Sequence, residues 1–403
     1  MTDVIHLWPQ GSVQKNGKIT ISTIIEMPKE KKKTLWYSVP ENHKEHLSIN
    51  ADPFVIAVIY LIMQSGFDAR IHGEVSPSLL YNLEDFQTAW TAWIPEFEKG
   101  DIQADHEKEP IFTQPRNESV VAFSGGVDSC FTVYSQAKSM FRPNPNKLTT
   151  GVMVQGFDIP LDQPDVFESA FKRSKTLVSS LGLNLIPIST NYQKIGANWI
   201  HSFGAAAASC LAIFSNKFRA GYISQNLTYK EAIEILEGSN PLTEPLLSSD
   251  TFKILPGGSQ FDRAGKIFSM RNWQEFKDHL RVCWQGPQKD RNCCECEKCT
   301  RNILTFRALG LGLPPCFPKD ISDSQIKTFF MGGKNFPKMR YGKLPAIAKA
   351  RGEQGEWIKL LEKRLNYIKH MQRTKDSIPW RIQRKLKRLA KKIIMPIISI
   401  FKS

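Results

Sequence analysis

The chain has 403 residues and a formal charge of +15 at neutral pH. At roughly 150 residues per domain, that length points to two or three domains, and a hydrophobic share of 41% excludes a disordered polymer. The charge is uneven: residues 369–403 hold eleven basic side chains against Asp376, leaving a net +5 for the rest, so an acidic partner is expected at the tail rather than along the body.

Residues 1–6 lack the charged and apolar regions of a secretory leader. The longest apolar runs, 55–63 and 393–401, are far shorter than the roughly 20 residues of a spanning helix. A cytoplasmic location is therefore expected. Four of the eight cysteines crowd between Cys293 and Cys299, and in a reducing compartment such crowding reads as metal binding rather than disulfide bonding.

In chain order, alternating apolar residues predict strands over 18–26 and 34–39. Asp52-Pro53 predicts a helix start, as cap and first-turn proline, for the apolar run 54–63, and a second helix is expected over 76–97. Residues 1–113 thus form an α+β module, and the polar stretch 98–117 is expected to be a linker. From Ser119 the pattern changes to strands over 120–123, 151–155, 183–188 and 221–224, alternating with helices over 129–140, 163–181 and 202–214. That alternation predicts an α/β fold, a parallel sheet with helices on both faces, over 114–315. Residues 316–403 are expected to be a basic extension, irregular until a terminal helix.

Between the first strand of this series and its helix stands Ser124-Gly125-Gly126-Val127-Asp128-Ser129. Two glycines let the backbone approach an anion and turn its N–H groups inward, two serines add hydroxyl donors, and the helix N-terminus favours negative charge. Asp128 cannot attract phosphate, so a magnesium-related or loop-ordering role is expected of it. The loop resembles the pyrophosphatase-type phosphate loop of the adenine-nucleotide α-hydrolase superfamily. That resemblance implies the superfamily's HUP-like fold and the cleavage of ATP between its α- and β-phosphates, with AMP transferred to a carboxylate or carbonyl oxygen and magnesium offsetting charge.

Downstream, Cys293, Cys296 and Cys299 form C-x2-C-x2-C, with Cys283 ten residues before them. Four thiolates so spaced can close a tetrahedral zinc site pinning a loop to the helix that follows. Cys294 is an extra thiol that is either a replacement ligand or a spectator. Cys283-Trp284-Gln285-Gly286 and Cys293-Cys294-Glu295-Cys296-Glu297-Lys298-Cys299 together resemble the zinc segment of the 7-cyano-7-deazaguanine synthase family, which shares the phosphate loop. The resemblance spans residues 119–309. It implies that a carboxylate, in that family on a 7-deazapurine, is adenylated and converted to an amide or nitrile.

Further candidates flank these motifs. Gln155 and Asp158, after the second strand of the α/β series, stand where the superfamily holds adenine and ribose; a plain polar turn is an equal reading. Arg263 and Lys266 could reach the triphosphate, and Asp128 and Lys266 are the catalytic candidates. His201 could act as acid or base, although a cap or core histidine is favoured. Ser239-Asn240-Pro241 faces the substrate side with no assigned chemistry. In the tail, Ile382, Leu386, Leu389, Ile393 and Ile397 share one face of a basic helix starting at Ser377, suited to a partner protein or an anionic membrane surface, and less to nucleic acid. Three functions follow: an adenylating carbon–nitrogen ligase whose amine belongs to a small molecule or a protein terminus, a tRNA-modifying adenylating enzyme, or an ATP-binding scaffold without turnover.

Overall fold

A computed structural model describes residues 3–141, 145–283, 285–286, 288–329 and 340–376. Two compact units divide the chain, residues 1–320 and 321–403.

The first unit is α/β. Its opening strands are β1 (Val4–Lys15), β2 (Lys18–Glu26) and β3 (Lys33–Pro40), followed by α1 (Asp52–Ser65), β4 (Asp68–Val75), α2 (Pro77–Trp93) and β5 (Ile102–Glu107). There follow β6 (Glu118–Ala122), α3 (Val127–Ala137), β7 (Lys147–Gln155), α4 (Pro164–Ser179), β8 (Asn184–Thr190), α5 (Trp199–Ala212) and β9 (Ala220–Ser224). The unit closes with α6 (Tyr229–Glu234), β10 (Lys253–Gly257), α7 (Arg263–Ser269), α8 (Gln274–His279) and α9 (Glu297–Ala308).

All ten strands join one sheet in the order β10-β9-β6-β7-β8-β3-β2-β1-β4-β5. From β10 to β8 every pairing is parallel, whereas β8-β3, β3-β2 and β2-β1 are antiparallel. The boundary expected at residue 113 therefore falls inside a unit: Tyr37 pairs with Thr190 and Ser38 with Ser189 across the junction. Asn191 adds side-chain bonds, accepting from the Trp36 N–H at 3.0 Å and donating to the Thr34 carbonyl at 2.7 Å.

The core explains why the halves stay together. In α1 every residue from Asp52 to Met63 is buried, so the helix has no wet face, and it packs against α5 of the other half as well as α2. Each fully buried Val or Ile there is worth about 1.5–3 kcal/mol. In α2 the buried Leu79, Leu83, Phe86, Gln87 and Trp90 recur at helical spacing and face inward. Asp52 is not the cap of α1; that position is Ala51. Its carboxylate instead accepts from the N–H of Ser76 at 2.8 Å and its hydroxyl at 2.6 Å, holding the start of α2.

Several strands escape the sequence pattern. β5 lies within the expected linker, because this edge strand carries only Ile102 and Ala104 as an apolar alternation among polar residues. β1, β4 and β10 are likewise real strands: β1 forms a tight hairpin with β2, whereas β4 and β10 pair with strands distant in sequence.

In the second unit, helices span Asp323–Thr328, Leu344–Ala350 and Glu356–Asp376, so the stretch after residue 316 is more helical than its composition suggests. Arg364 donates to the Phe329 carbonyl at 3.1 Å through Nε and stacks over the Phe329 ring. The basic amphipathic helix expected from Ser377 lies outside the described residues. Among the described residues, no helix is long and apolar enough to cross a membrane.

Candidate active site and metal centre

The parallel strands run β6, β7, β8 to one side and then return to β9 and β10 on the other. Strand order therefore reverses at β6, and such a reversal leaves a crevice beyond the carboxyl ends of the strands. A cavity of 280 Å³ sits there, lined by Phe123 and Ser124 after β6, Val154, Phe157 and Asp158 around the end of β7, and Ile223 and Ser224 at the end of β9. Trp199 and Phe203 of α5 add aromatic wall, and Asp128, Ser129, Ser239, Arg281 and Lys298 supply polar and charged lining.

The Ser124–Ser129 loop is the floor of this crevice. Gly125 has a φ of +74°, which a side chain would strain, and a Cβ there would stand 3.1 Å from Ser174 Oγ. Gly126 caps α3, whose first-turn N–H groups have no partner one turn back within the helix. Ser129 Oγ donates to the Gly126 carbonyl at 3.1 Å and accepts from the Ser124 N–H at 3.3 Å, so the two serines close the loop on itself. Val127 is buried and anchors the helix start.

Asp128, Arg263 and Lys266 are brought together. One Asp128 oxygen takes Arg263 at 2.9 Å and the other takes Lys266 at 2.9 Å. The Lys266 side chain is 1% exposed and also donates to the Gln225 carbonyl. Burial alone would raise the Asp128 carboxyl, but the two cations outweigh it and hold the group well below the ordinary carboxylate range. Asp128 thus ties the loop and the start of α3 to α7 through one cation on each oxygen.

The two residues expected at the nucleoside end separate. Asp158 lines the cavity. The Gln155 amide instead donates to the carbonyls of Pro160 at 3.3 Å and Leu161 at 3.4 Å and accepts from Ser189 at 3.1 Å, tying the turn beneath the cavity rather than lining it. Gly156 beside it admits no side chain, since a Cβ would lie 1.9 Å from the Thr190 carbonyl oxygen. His201, half-buried, lies against Phe97 and Trp90 and is not among the cavity lining.

Three residues with a claim on the site are not found from sequence, and only Lys298 carries a local signal. Glu244 is 1% exposed and accepts from Ser239 Oγ at 2.5 Å and from the Gln225 amide. Burial pushes its pKa up to about 8, although both hydrogen bonds work to lower it. Arg281 donates through its side chain to the Ser124 carbonyl at 2.9 Å and through its backbone to the Gly125 carbonyl at 2.9 Å, clamping the loop from a position far downstream in the chain. Lys298, between two cysteines, lines the same cavity. Its position inside the cysteine motif was the one available hint.

The sulfurs of Cys283, Cys293, Cys296 and Cys299 lie within 4.8 Å of one another and could hold a metal ion. The surroundings fit. Cys293 Sγ accepts from the N–H groups of Glu295 at 3.4 Å and Cys296 at 3.3 Å, and Cys283 Sγ from Gly286 at 3.3 Å, bonds that suit thiolates. A Cβ on Gly286 would come within 3.0 Å of Cys293 Cβ and 3.1 Å of Cys283 Sγ, so that position keeps the knot tight. The buried Cys294, with a φ of +60°, stands outside the group of four, which makes it the spectator of the two alternatives. Asn292 binds the N–H groups of Val282 at 2.8 Å and Cys283 at 3.3 Å, fixing one arm of the centre.

Comparison with protein-family models, curated proteins and solved structures gives no match to the chain.

Proposed function

We propose that this chain is an ATP-dependent adenylating enzyme of the pyrophosphatase-loop, HUP-like type. It would activate a carboxylate for amide or nitrile formation in the manner of 7-cyano-7-deazaguanine synthases, with zinc at the four cysteines. The observation carrying the reading is the Ser124–Ser129 loop at the strand-order reversal, opening onto a 280 Å³ cavity with buried cations around it.

Each residue then has a physical task. The α3 N-terminus and the loop serines hold the β- and γ-phosphates that leave as pyrophosphate, and a preformed cradle lowers the barrier by stabilising that leaving group. Asp128 orders Arg263 and Lys266 beside the loop, so their charge is available without reorganisation as negative charge builds on the leaving oxygens. Phe157, Trp199 and Phe203 supply flat apolar surface for a ring, with Asp158 in reach of a hydroxyl. Zinc, when bound, would serve as a structural clip with no vacant position for substrate. Magnesium would enter as part of the ATP complex and offset the charge of the phosphates.

Incubation of the full chain with magnesium-ATP, ammonium and 7-carboxy-7-deazaguanine, followed by separation of the nucleotides, tests this. AMP and pyrophosphate are expected. ADP and phosphate would overturn the α–β cleavage, and AMP formed only with other carboxylates would overturn the deazapurine acceptor.

A further inference from the structure

We propose that the cysteine segment is a working wall of the phosphate site: Arg281 and Lys298, each set within two residues of a cysteine of the metal centre, bind the nucleotide's phosphates, which couples metal occupancy to phosphate affinity. This rests on the nucleotide reading above and goes beyond it, because that reading leaves the metal centre purely structural and Arg281 and Lys298 without a role toward the ligand.

The first observation is what Arg281 lacks. The residue is 6% exposed and lines the cavity. Its Nη2 donates to the Ser124 carbonyl at 2.9 Å, and its Nη1 donates to the carbonyls of Lys289 at 3.0 Å and Cys283 at 3.4 Å. Its Nε is buried with no hydrogen-bond partner. The charge of this buried guanidinium is thus met only by neutral carbonyls, and an anion entering the cavity that Arg281 lines is the complement it lacks. Among the described residues no carboxylate is hydrogen-bonded to it: Asp158 on the same cavity wall and Asp290 act on it only at longer range, and Asp128 of the loop pairs with Arg263 and Lys266 instead.

The second observation is where the two cations are mounted. Arg281 precedes Cys283 by two residues, and Lys298 lies between Cys296 and Cys299 in the first turn of α9. Their backbones are positioned by the same short segments that carry the four sulfurs. Four thiols drawn within 4.8 Å need a cation to hold them there as thiolates. When it is removed, the segments relax apart, and the cavity loses the alignment of both side chains. Linkage is reciprocal, so a phosphate ligand that requires the aligned segment must tighten the metal by the same factor.

The test uses the full chain under reducing conditions with inorganic pyrophosphate as probe. Pyrophosphate affinity is measured by calorimetry on zinc-loaded and chelator-stripped protein, and zinc affinity by competition with a chromogenic chelator, with and without pyrophosphate. Stripping is expected to weaken pyrophosphate about tenfold or more, and pyrophosphate to tighten zinc by a matching factor. Lys298→Met is expected to weaken pyrophosphate several-fold while leaving zinc content unchanged, and Arg281→Lys, which keeps the charge but not the fork, to do the same. Should Arg281→Lys fail to fold by circular dichroism, Lys298→Met and the linkage measurement decide. Pyrophosphate binding unaltered by stripping and by Lys298→Met overturns the inference and leaves the adenylating reading standing. No binding of pyrophosphate or ATP to the zinc-loaded wild type overturns that reading itself. A chain that holds no zinc after purification from zinc-supplied cells overturns the coupling.

Discussion

The two halves of the sheet bury different kinds of residue. In the half built from β1–β5, the only buried ionisable carboxylate or cation among the described residues is Asp52, and its oxygens are met by Ser76. The half built from β6–β10 and its following segments buries Glu244, Lys266, Arg281, Asp290 and Arg301. Burying charge is expensive unless an arrangement repays it, and clusters of such groups beside a cavity mark chemistry. Both halves have the same layered packing and share a core. What differs is topology: the first half mixes an antiparallel β3-β2-β1 meander with the parallel β4 and β5, whereas the wholly parallel series reverses its strand order at β6 and leaves a crevice.

The largest expected break in this contrast concerns Glu244. Its carboxyl binds a proton more tightly folded than unfolded, so it contributes stability fully present below the unfolded value of about 4.5 and lost as pH rises through about 8. Glu244→Gln removes that dependence. Relative to the variant, the wild type should lose up to about 5 kcal/mol between those limits, at about 1.4 kcal/mol for each pH unit crossed. Denaturant unfolding of both proteins across pH 4.5–9 checks it, and a constant difference would show that Glu244 is not a strained buried carboxyl.

Asp128→Asn comes next. It strips the anion from a lysine that is 1% exposed, and breaking a buried pair in this way costs about 3–5 kcal/mol. An unfolding midpoint unchanged from wild type would show that the cluster is not electrostatically locked.

Ile59→Ala probes the other half. Its side chain is fully buried in α1, and the cavity left should cost about 2–5 kcal/mol. Pyrophosphate affinity measured where the variant remains folded is expected to stay at the wild-type value. A drop would mean that the halves share function as well as a core.

How much of this the sequence reveals follows the same division. The Ser124–Ser129 loop and the cysteine spacing are legible because their geometry is local: two glycines, a helix start and short knuckles need few residues to declare themselves. β2 and β3 are legible from alternation, and β2 matches residue for residue. Arg281 and Glu244 are not, because their roles come from contacts with Ser124, Ser239 and Gln225 made only when the chain returns to the crevice. Asp52 shows a mixed case: the helix starts where the local signal puts it, but Ala51 holds the cap position and the Asp52 carboxylate turns to a tertiary partner, Ser76.

The smallest expected effect sharpens the contrast from within the crevice half. Thr228 and Glu231 form a reciprocal cap on α6, Thr228 N–H donating to Glu231 at 2.8 Å. Thr228→Ala should cost about 1 kcal/mol with no change in nucleotide turnover or pyrophosphate binding, read by unfolding and product analysis. A large effect on binding would tie α6 to the site.

The junction between β3 and β8 has a practical consequence for anyone dividing the chain. Along the sheet only two residue pairs join the halves, reinforced by the Asn191 bonds and by side-chain bonds such as Tyr37 to Ser209 and Asn82 to the Ser248 carbonyl; each half hides the other's open strand edge, and α1 covers the flank of α5. A fragment starting after residue 113 would expose the β8 edge and that apolar flank, and a fragment ending there would expose the β3 edge. Unpaired edges recruit one another, so either piece made alone is expected to aggregate in cells, while co-expression of the two should rescue solubility by split-chain complementation.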